Sequence, residues 1–147
     1  MEASGDIRIL IVEDELIIAE DIRTKLISLG YNVTGIAMTA DEAERLLESD
    51  RPDLVMLDIL IKGERDGIDL ARIIRENYKI PFIFLTSHAD RSTVEKARSV
   101  LPDGYLLKPF TDKDLFAAIE VAIFRKSDEA EKKYEELPGK ILQDCIF

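Results

Sequence analysis

The sequence predicts an α/β protein in which a parallel five-stranded sheet is covered by helices on both faces. Three observations carry this. Short apolar runs recur at Ile7–Val12, Asn32–Ala37, Leu54–Leu57, Pro81–Leu85 and Gly104–Leu107. Amphipathic stretches lie between them, and turn-forming segments such as "SLGYN", "DRPD", "YKIP" and "LPDG" punctuate the alternation. Near-continuous apolar strands joined by helices are the pattern of strands buried on both sides, which implies parallel pairing with crossover helices. Five such units in about 125 residues make a doubly wound sandwich.

The helical stretches differ in strength. Ile18, Ile22, Leu26 and Leu29 recur at helical spacing, as do Ala43, Leu46 and Leu47. Leu70, Ala71 and Ile74 mark a third apolar face, and Leu115, Ile119, Ala122 and Ile123 a fifth. The fourth, Arg91–Val100, is the weakest, with Val94 and Ala97 its only clear inward candidates. After Phe124 the composition changes. "RKSDEAEKKYEELPGK" is highly charged, and Asp128–Lys132 and Glu129–Lys133 are spaced to pair along an exposed helix that Pro138-Gly139 would stop. The chain ends in apolar "ILQDCIF". Residues 1–126 are therefore expected to form one domain. Residues 127–147 are expected to be a charged linker or tail leading to a further domain absent from this chain, the alternatives being a tail that folds back or one that mediates dimerisation.

Composition narrows the function. The chain has 147 residues, 46% of them apolar and 34% charged, with a formal charge of −10. That charge argues against direct binding to nucleic acid or to an anionic membrane. A single cysteine, Cys145, cannot form an internal disulfide and fits a reducing, cytoplasmic setting. "MEASGDIR" lacks the pattern of a secretory leader, and no apolar stretch approaches the ~20 residues of a membrane span.

The stretch "LVMLDILI", residues 54–61, sets one carboxylate, Asp58, among seven apolar side chains. An unpaired charge there is expensive, so something must compensate it. In open α/β sheets function gathers beyond the carboxyl ends of the strands. The first strand ends in Glu13-Asp14, the third in Asp58, the fourth in Thr86-Ser87 and the fifth in Lys108-Pro109. Three carboxylates meeting at one edge repel unless a cation neutralises them. An all-oxygen site with room for water suits Mg²⁺, with Lys108 beside it. Each member also has a plainer reading. Glu13, Asp14 and Glu15 could simply favour a helix N-terminus, Thr86 or Ser87 could be an N-cap, Asp58 an ordinary strand-end acid, and Lys108 an exposed lysine before a loop. Their convergence on one sheet edge is what makes the set informative.

The pieces "ILIVEDE", "PDLVMLDI", "DGIDL", "PFIFLTS" and "GYLLKPF" together resemble the receiver domain of two-component response regulators, over the stretch from Ile7 to Phe124. The resemblance implies a flavodoxin-like (βα)₅ fold with strand order 2-1-3-4-5. It implies that Asp58 accepts a phosphoryl group from a phosphohistidine on a separate sensor histidine kinase. Carried over by position, Asp14 and Asp58 ligate Mg²⁺, Glu13 holds it through water, and the backbone carbonyl of Leu60 completes the set. Thr86 would bond the phosphoryl oxygen and Lys108 would pair with it. Thr86 and Tyr105 would form the switch, Thr86 moving toward the new acceptor and Tyr105 filling the space. Tyr105 could also be a half-buried edge tyrosine with no such role.

Two features depart from the family pattern. The loop "ILIKGERDG" after Asp58 is one residue longer than the common form and lacks its proline. Leu60 and His88 occupy positions that tune phosphoryl lifetime in the family, and an apolar Leu60 cannot position water. His88, the only histidine, reads as a surface side chain rather than a phosphodonor. Output is open between a C-terminal effector, for which a LytTR-type DNA-binding domain is one form, and a free-standing receiver acting by protein–protein contact or as a homodimer. An FMN-binding flavodoxin-like protein would need a Ser/Thr/Gly-rich loop where this chain has "EDE". A haloacid-dehalogenase-type Mg²⁺ phosphatase would need an aspartate where this chain has Leu60.

Overall fold

The computed structural model describes residues 5–61, 63–87 and 90–127. The expectations for His88, Lys62, the charged pairs after residue 127 and the apolar terminus lie outside these residues. Within them the chain alternates strand and helix: β1 (Arg8–Val12), α1 (Leu16–Ser28), β2 (Asn32–Ala37), α2 (Ala40–Asp50), β3 (Leu54–Asp58), α3 (Gly67–Ile73), β4 (Phe82–Thr86), α4 (Arg91–Arg98) and β5 (Gly104–Leu107). A last helix, α5, covers 112–127 of the described residues. All strand pairs are parallel and the sheet order is β2-β1-β3-β4-β5. That is the order the resemblance implied.

Strand alternation divides the core between two faces. Ile9, Ile11, Leu54, Met56, Ile83 and Leu85 pack against Ala19, Ile22 and Leu26 of α1 and Leu115, Ile119 and Ala122 of α5. The opposite side chains, among them Leu10, Val55, Leu57, Phe82 and Phe84, pack against α2, α3 and α4. β3 and β4 are buried along their whole length. Their sequences are apolar without alternation because both faces are covered.

Two local details differ from the expected pattern, and a third matches it. The β1–β2 ladder skips Thr34, passing from Ile9↔Val33 to Leu10↔Gly35. α3 does not run to its end as an α-helix but widens into a π-helical turn, Ile74–Tyr78, closed by Lys79 in the left-handed region. The fourth helix is indeed the weakest. It has eight residues, of which only Ala97 is buried.

Gly67 opens α3 at a point where no other residue fits. Its N–H donates to Ile59 O at 2.8 Å, and a Cβ added there would meet Asp58 O at 2.1 Å and Ile59 O at 2.7 Å. The obstacles are backbone atoms at the end of β3 and cannot swing away. Gly67→Ala is therefore expected to destabilise the protein by about 2–4 kcal/mol, the upper end of overpacking costs. Urea titration would measure it; a change below about 0.5 kcal/mol, the range of neutral surface substitutions, would contradict the close approach.

Candidate functional site

Strand register assembles the site. Val12 pairs with Leu57, so Glu13 and Asp58 come level one position further along. Asp58 pairs with Leu85 and Thr86 with Leu107, which brings Thr86 and Lys108 to the same edge. Glu13 and Lys108 continue the strands by backbone bonds, Glu13 N–H to Ala37 O at 2.9 Å and Lys108 N–H to Thr86 O at 2.8 Å. By alternation Glu13, Asp58 and Lys108 belong to the α1/α5 face. Thr86 and Tyr105 belong to the α2–α4 face, and because Phe84 pairs with Tyr105 they are diagonal neighbours across β4 and β5.

Direct contacts hold three of the predicted residues together. Lys108 Nζ donates to Glu13 Oε1 at 2.6 Å and to Asp58 Oδ2 at 2.9 Å. The other Asp58 oxygen, Oδ1, accepts from the Leu60 N–H at 2.9 Å. Glu13 and Asp58 are both buried, and so is Thr86. Burial pushes the Glu13 carboxyl up to about 7; the bond from Lys108 opposes this and the neighbouring Asp58 charge adds to it. For Lys108 burial acts downward, but the bonds to Glu13 and Asp58 outweigh it and the net direction is upward. Lys108, just past β5, thus offsets part of the cost of burying Asp58, sharing its single charge with Glu13.

The plainer readings fare unevenly. Lys108 is not an exposed lysine before a loop. Neither Thr86 nor Ser87 caps α4, whose N-cap is Asp90, accepting from Thr93 N–H at 3.1 Å. Of the acids before α1, Glu13 Oε2 accepts from Glu15 N–H at 3.2 Å, and Glu15 is itself the N-cap, with no side-chain capping bond. α1 has no acid in its first turn. Tyr105 is half-buried and packs against the α2–α4 core.

Glu13, Asp14 and Asp58 supply an all-oxygen donor set in which carboxylates outnumber the single ammonium. In donor type and charge these residues fit a hard divalent cation. Among the described residues, however, no group of three or more His, Cys, Asp or Glu side chains stands gathered to hold a metal ion. Lys108 is the cation in contact with Glu13 and Asp58.

Sequence reasoning missed the residues that shape the loop after β3. Asp66 caps α3, its Oδ1 accepting from Ile68 and Asp69 N–H at 2.9 and 3.0 Å, while Asp69 Oδ2 accepts from Asp66 N–H at 3.1 Å. The D-x-x-D spacing is the signal that could have found this capping box. Arg65 forms ion pairs with Asp41 and with Glu44, the latter at 2.6 Å. No local pattern announces that pair. The direct Glu13–Lys108 contact was missed as well.

The upward shift at Glu13 has a testable sign. A carboxyl whose pKa is higher in the folded than in the unfolded protein binds more protons when folded. Its stabilisation is complete below pH 4.5 and is lost as pH rises through about 7. In EDTA, wild type should therefore lose stability relative to Glu13→Gln across that window. The slope should be on the order of 1 kcal/mol per pH unit at most. Parallel denaturation curves for both proteins between those limits would show a flat difference if Glu13 were not raised.

Comparison with known proteins bears on the same stretch. Residues 9–120 match the family described as response regulator receiver domain. The chain is 42% identical over 118 residues to the transcriptional regulatory protein PdtaR of Mycobacterium tuberculosis, covering 80% of this chain and 57% of that protein. It is 33% identical over 122 residues to the DNA-binding response regulator MtrA of Mycobacterium leprae, covering 83% and 53%. It thus spans just over half the length of these curated relatives. A crystal structure of the signal receiver domain of a modulated diguanylate cyclase from Desulfovibrio desulfuricans G20 superposes with a TM-score of 0.81 at 38% identity, covering 85% of this chain and 99% of that one. No helix among the described residues is long and apolar enough to cross a membrane. With its strand order, its strand-end acids and this matched stretch, the chain belongs to the response regulator receiver domain family of two-component systems, whose members interact with sensor histidine kinases.

Proposed function

We propose that this chain is a phosphoacceptor switch. Asp58 accepts a phosphoryl group from the phosphohistidine of a sensor histidine kinase in a Mg²⁺-dependent reaction, and the change is relayed to an output. The observation that carries this reading is the buried Asp58 carboxylate held at the end of β3 between Lys108 and the Leu60 N–H, with Glu13 alongside. A structural ion pair would not need the second buried acid.

The roles follow from the chemistry of transfer. An Asp58 oxygen attacks phosphorus, the P–N bond to the imidazole breaks, and the imidazole leaves with that electron pair. Lys108, already within bonding distance of Asp58, pairs with a phosphoryl oxygen and opposes the charge that develops there. Glu13, Asp14 and Asp58 with the Leu60 carbonyl would hold Mg²⁺, which when bound supplies further neutralisation of the phosphoryl oxygens. The Thr86 hydroxyl donates to the new acceptor, and Tyr105, its diagonal neighbour on the α2–α4 face, takes up the space. A local gain of charge thereby biases a two-state element. The chain assists its own phosphorylation and dephosphorylation rather than turning over a separate substrate. It works in the cytoplasm, where its kinase presents the phosphohistidine.

The output is an effector region joined to the receiver. The relatives named as a transcriptional regulatory protein and a DNA-binding response regulator support that choice, and a LytTR-type DNA-binding domain is one form it takes. A free-standing receiver acting through protein contact or a homodimer is the alternative.

Beryllofluoride with Mg²⁺, a stand-in for the phosphoryl group, is expected to bind wild type and to lose binding in Asp58→Asn. Titration followed by ¹⁹F NMR gives the affinity; an unchanged affinity in the variant would remove Asp58 from the site. Mg²⁺ alone should raise stability by RT ln(1 + [L]/Kd), about 1–2 kcal/mol at several- to tens-fold above Kd. Asp14→Ala should be at least as stable as wild type in EDTA, because a repelling charge is gone, yet gain nothing from Mg²⁺. Paired thermal melts in EDTA and millimolar Mg²⁺ decide this. A metal-independent wild type, or an Asp14→Ala clearly weakened in EDTA, would mean that these acids serve structure.

A further inference from the structure

The loop joining β3 to α3 is closed at its base and tied at its tip. The base is the Gly67 N–H bond to Ile59 O, made at the point where Gly67 packs on the Asp58 carbonyl. Leu60, just inside the base, gives its N–H to Asp58 Oδ1. Near the tip stand Gly63, with φ of 116°, and Arg65. The tip does not pack closely on the neighbouring helix. A cavity of about 220 Å³, lined by Thr39, Ala40, Asp41, Gly63, Glu64 and Arg65, separates it from the start of α2. Arg65 Nη2 spans that gap to both Asp41 and Glu44.

We infer that Arg65 is a positioning residue for phosphoryl transfer, holding the loop through Asp41 and Glu44 in the form that keeps the Leu60 N–H on Asp58. This rests on the reading of Asp58 as the acceptor. The argument is one of restraint. A glycine with a left-handed backbone admits many tip conformations. Ile61, which follows Leu60, is buried in the α2–α4 core, so the way the tip is held bears on the short segment that presents the Leu60 N–H to Asp58. Reaction geometry is sensitive to small misplacements of the attacking group. The bridge itself is an exposed-to-half-buried ion pair, Asp41 being 78% exposed. Pairs of that kind contribute little to global stability. Arg65 is thus placed to affect the rate of transfer without holding the fold together.

The test is a cycle on the full chain, with phosphoramidate and Mg²⁺ as donor and Asp58→Asn as control. Arg65→Gln is expected to slow phosphorylation at saturating donor roughly tenfold, with the donor's half-saturation concentration unchanged. The paired change Asp41→Asn with Glu44→Gln, which keeps the arginine but frees it, should slow it equally. Combining all three should slow it no further, since the residues act as one unit. Arg65→Lys should recover part of the rate. Melting temperatures guard against loss of fold. Unchanged rates in Arg65→Gln, or losses that simply multiply in the combined variant, would overturn the positioning role while leaving Asp58 as the acceptor. Phosphoryl uptake that persists in Asp58→Asn would instead overturn the acceptor reading, and the role of Arg65 with it.

Discussion

One ammonium shared between two buried carboxylates organises the carboxyl edge of this sheet. Lys108 reaches Glu13 and Asp58 from a strand that borders neither of theirs, since β4 lies between β3 and β5. Its placement needs the β4–β5 register to be right to the residue, because a slip by one would turn the side chain to the other face. The Lys108 N–H bond to Thr86 O extends the ladder one step past β5 and fixes that register where it matters. Removing Lys108 would leave two buried carboxylates uncompensated, which costs far more than the pairing contributes when intact. Strand order, register and the identity of three residues are therefore coupled through one nitrogen.

The sheet also separates two tasks by parity. The charged trio lies on the side of α1 and α5, while Thr86 and Tyr105 lie on the side of α2, α3 and α4. A change in charge at the edge is thus adjacent to both layers, and Thr86, buried at the end of β4, is the residue in line with the second. On that side the layer is unevenly fastened. Arg75, in the π-helical turn after α3, donates from Nε to Val100 O at 2.8 Å and also bonds Leu101 O, and it lies over the Phe82 ring at 5.9 Å. These bonds tie down the carbonyls that follow α4. Within α4 itself only Ala97 is buried. A helix anchored at one end and lightly packed along its length is the element of least local stability there.

Much of this was legible in the amino-acid order. Strands buried on both faces write themselves as unbroken apolar runs, and the four amphipathic helices repeat at helical spacing. The site was legible because each member stands at the end of such a run, so the positions of the strands gave the positions of the acids, the threonine and the lysine. What stayed hidden has a common cause. The pairs Glu13–Lys108, Arg65–Glu44 and Arg75–Val100 join residues far apart in sequence through charged or backbone groups, and such pairs leave no periodic trace. The π-helical turn was invisible for a related reason: one extra residue in a helix shifts the apolar face without erasing it. The capping of α4 by Asp90 rather than Thr86 or Ser87 depended on where a short, weakly patterned helix begins.

The sequence leads us to expect a loop after Asp58 one residue longer than the common family form, and the structure limits where such length can sit. The base of that loop tolerates no change, because the Gly67 N–H bonds Ile59 O and its α-carbon packs on the Asp58 carbonyl with no room for a side chain. The entry to α3 is equally fixed by the reciprocal bonds of Asp66 and Asp69. Between those fixed points, Gly63 with its positive φ supplies the backbone freedom that added length would use. Lengthening a loop whose ends are already pinned adds little closure entropy. It does enlarge the set of tip conformations, and the ion pairs to α2 restrict that set again. A loop pinned at both ends can thus vary in length while Asp58 at its base keeps its geometry.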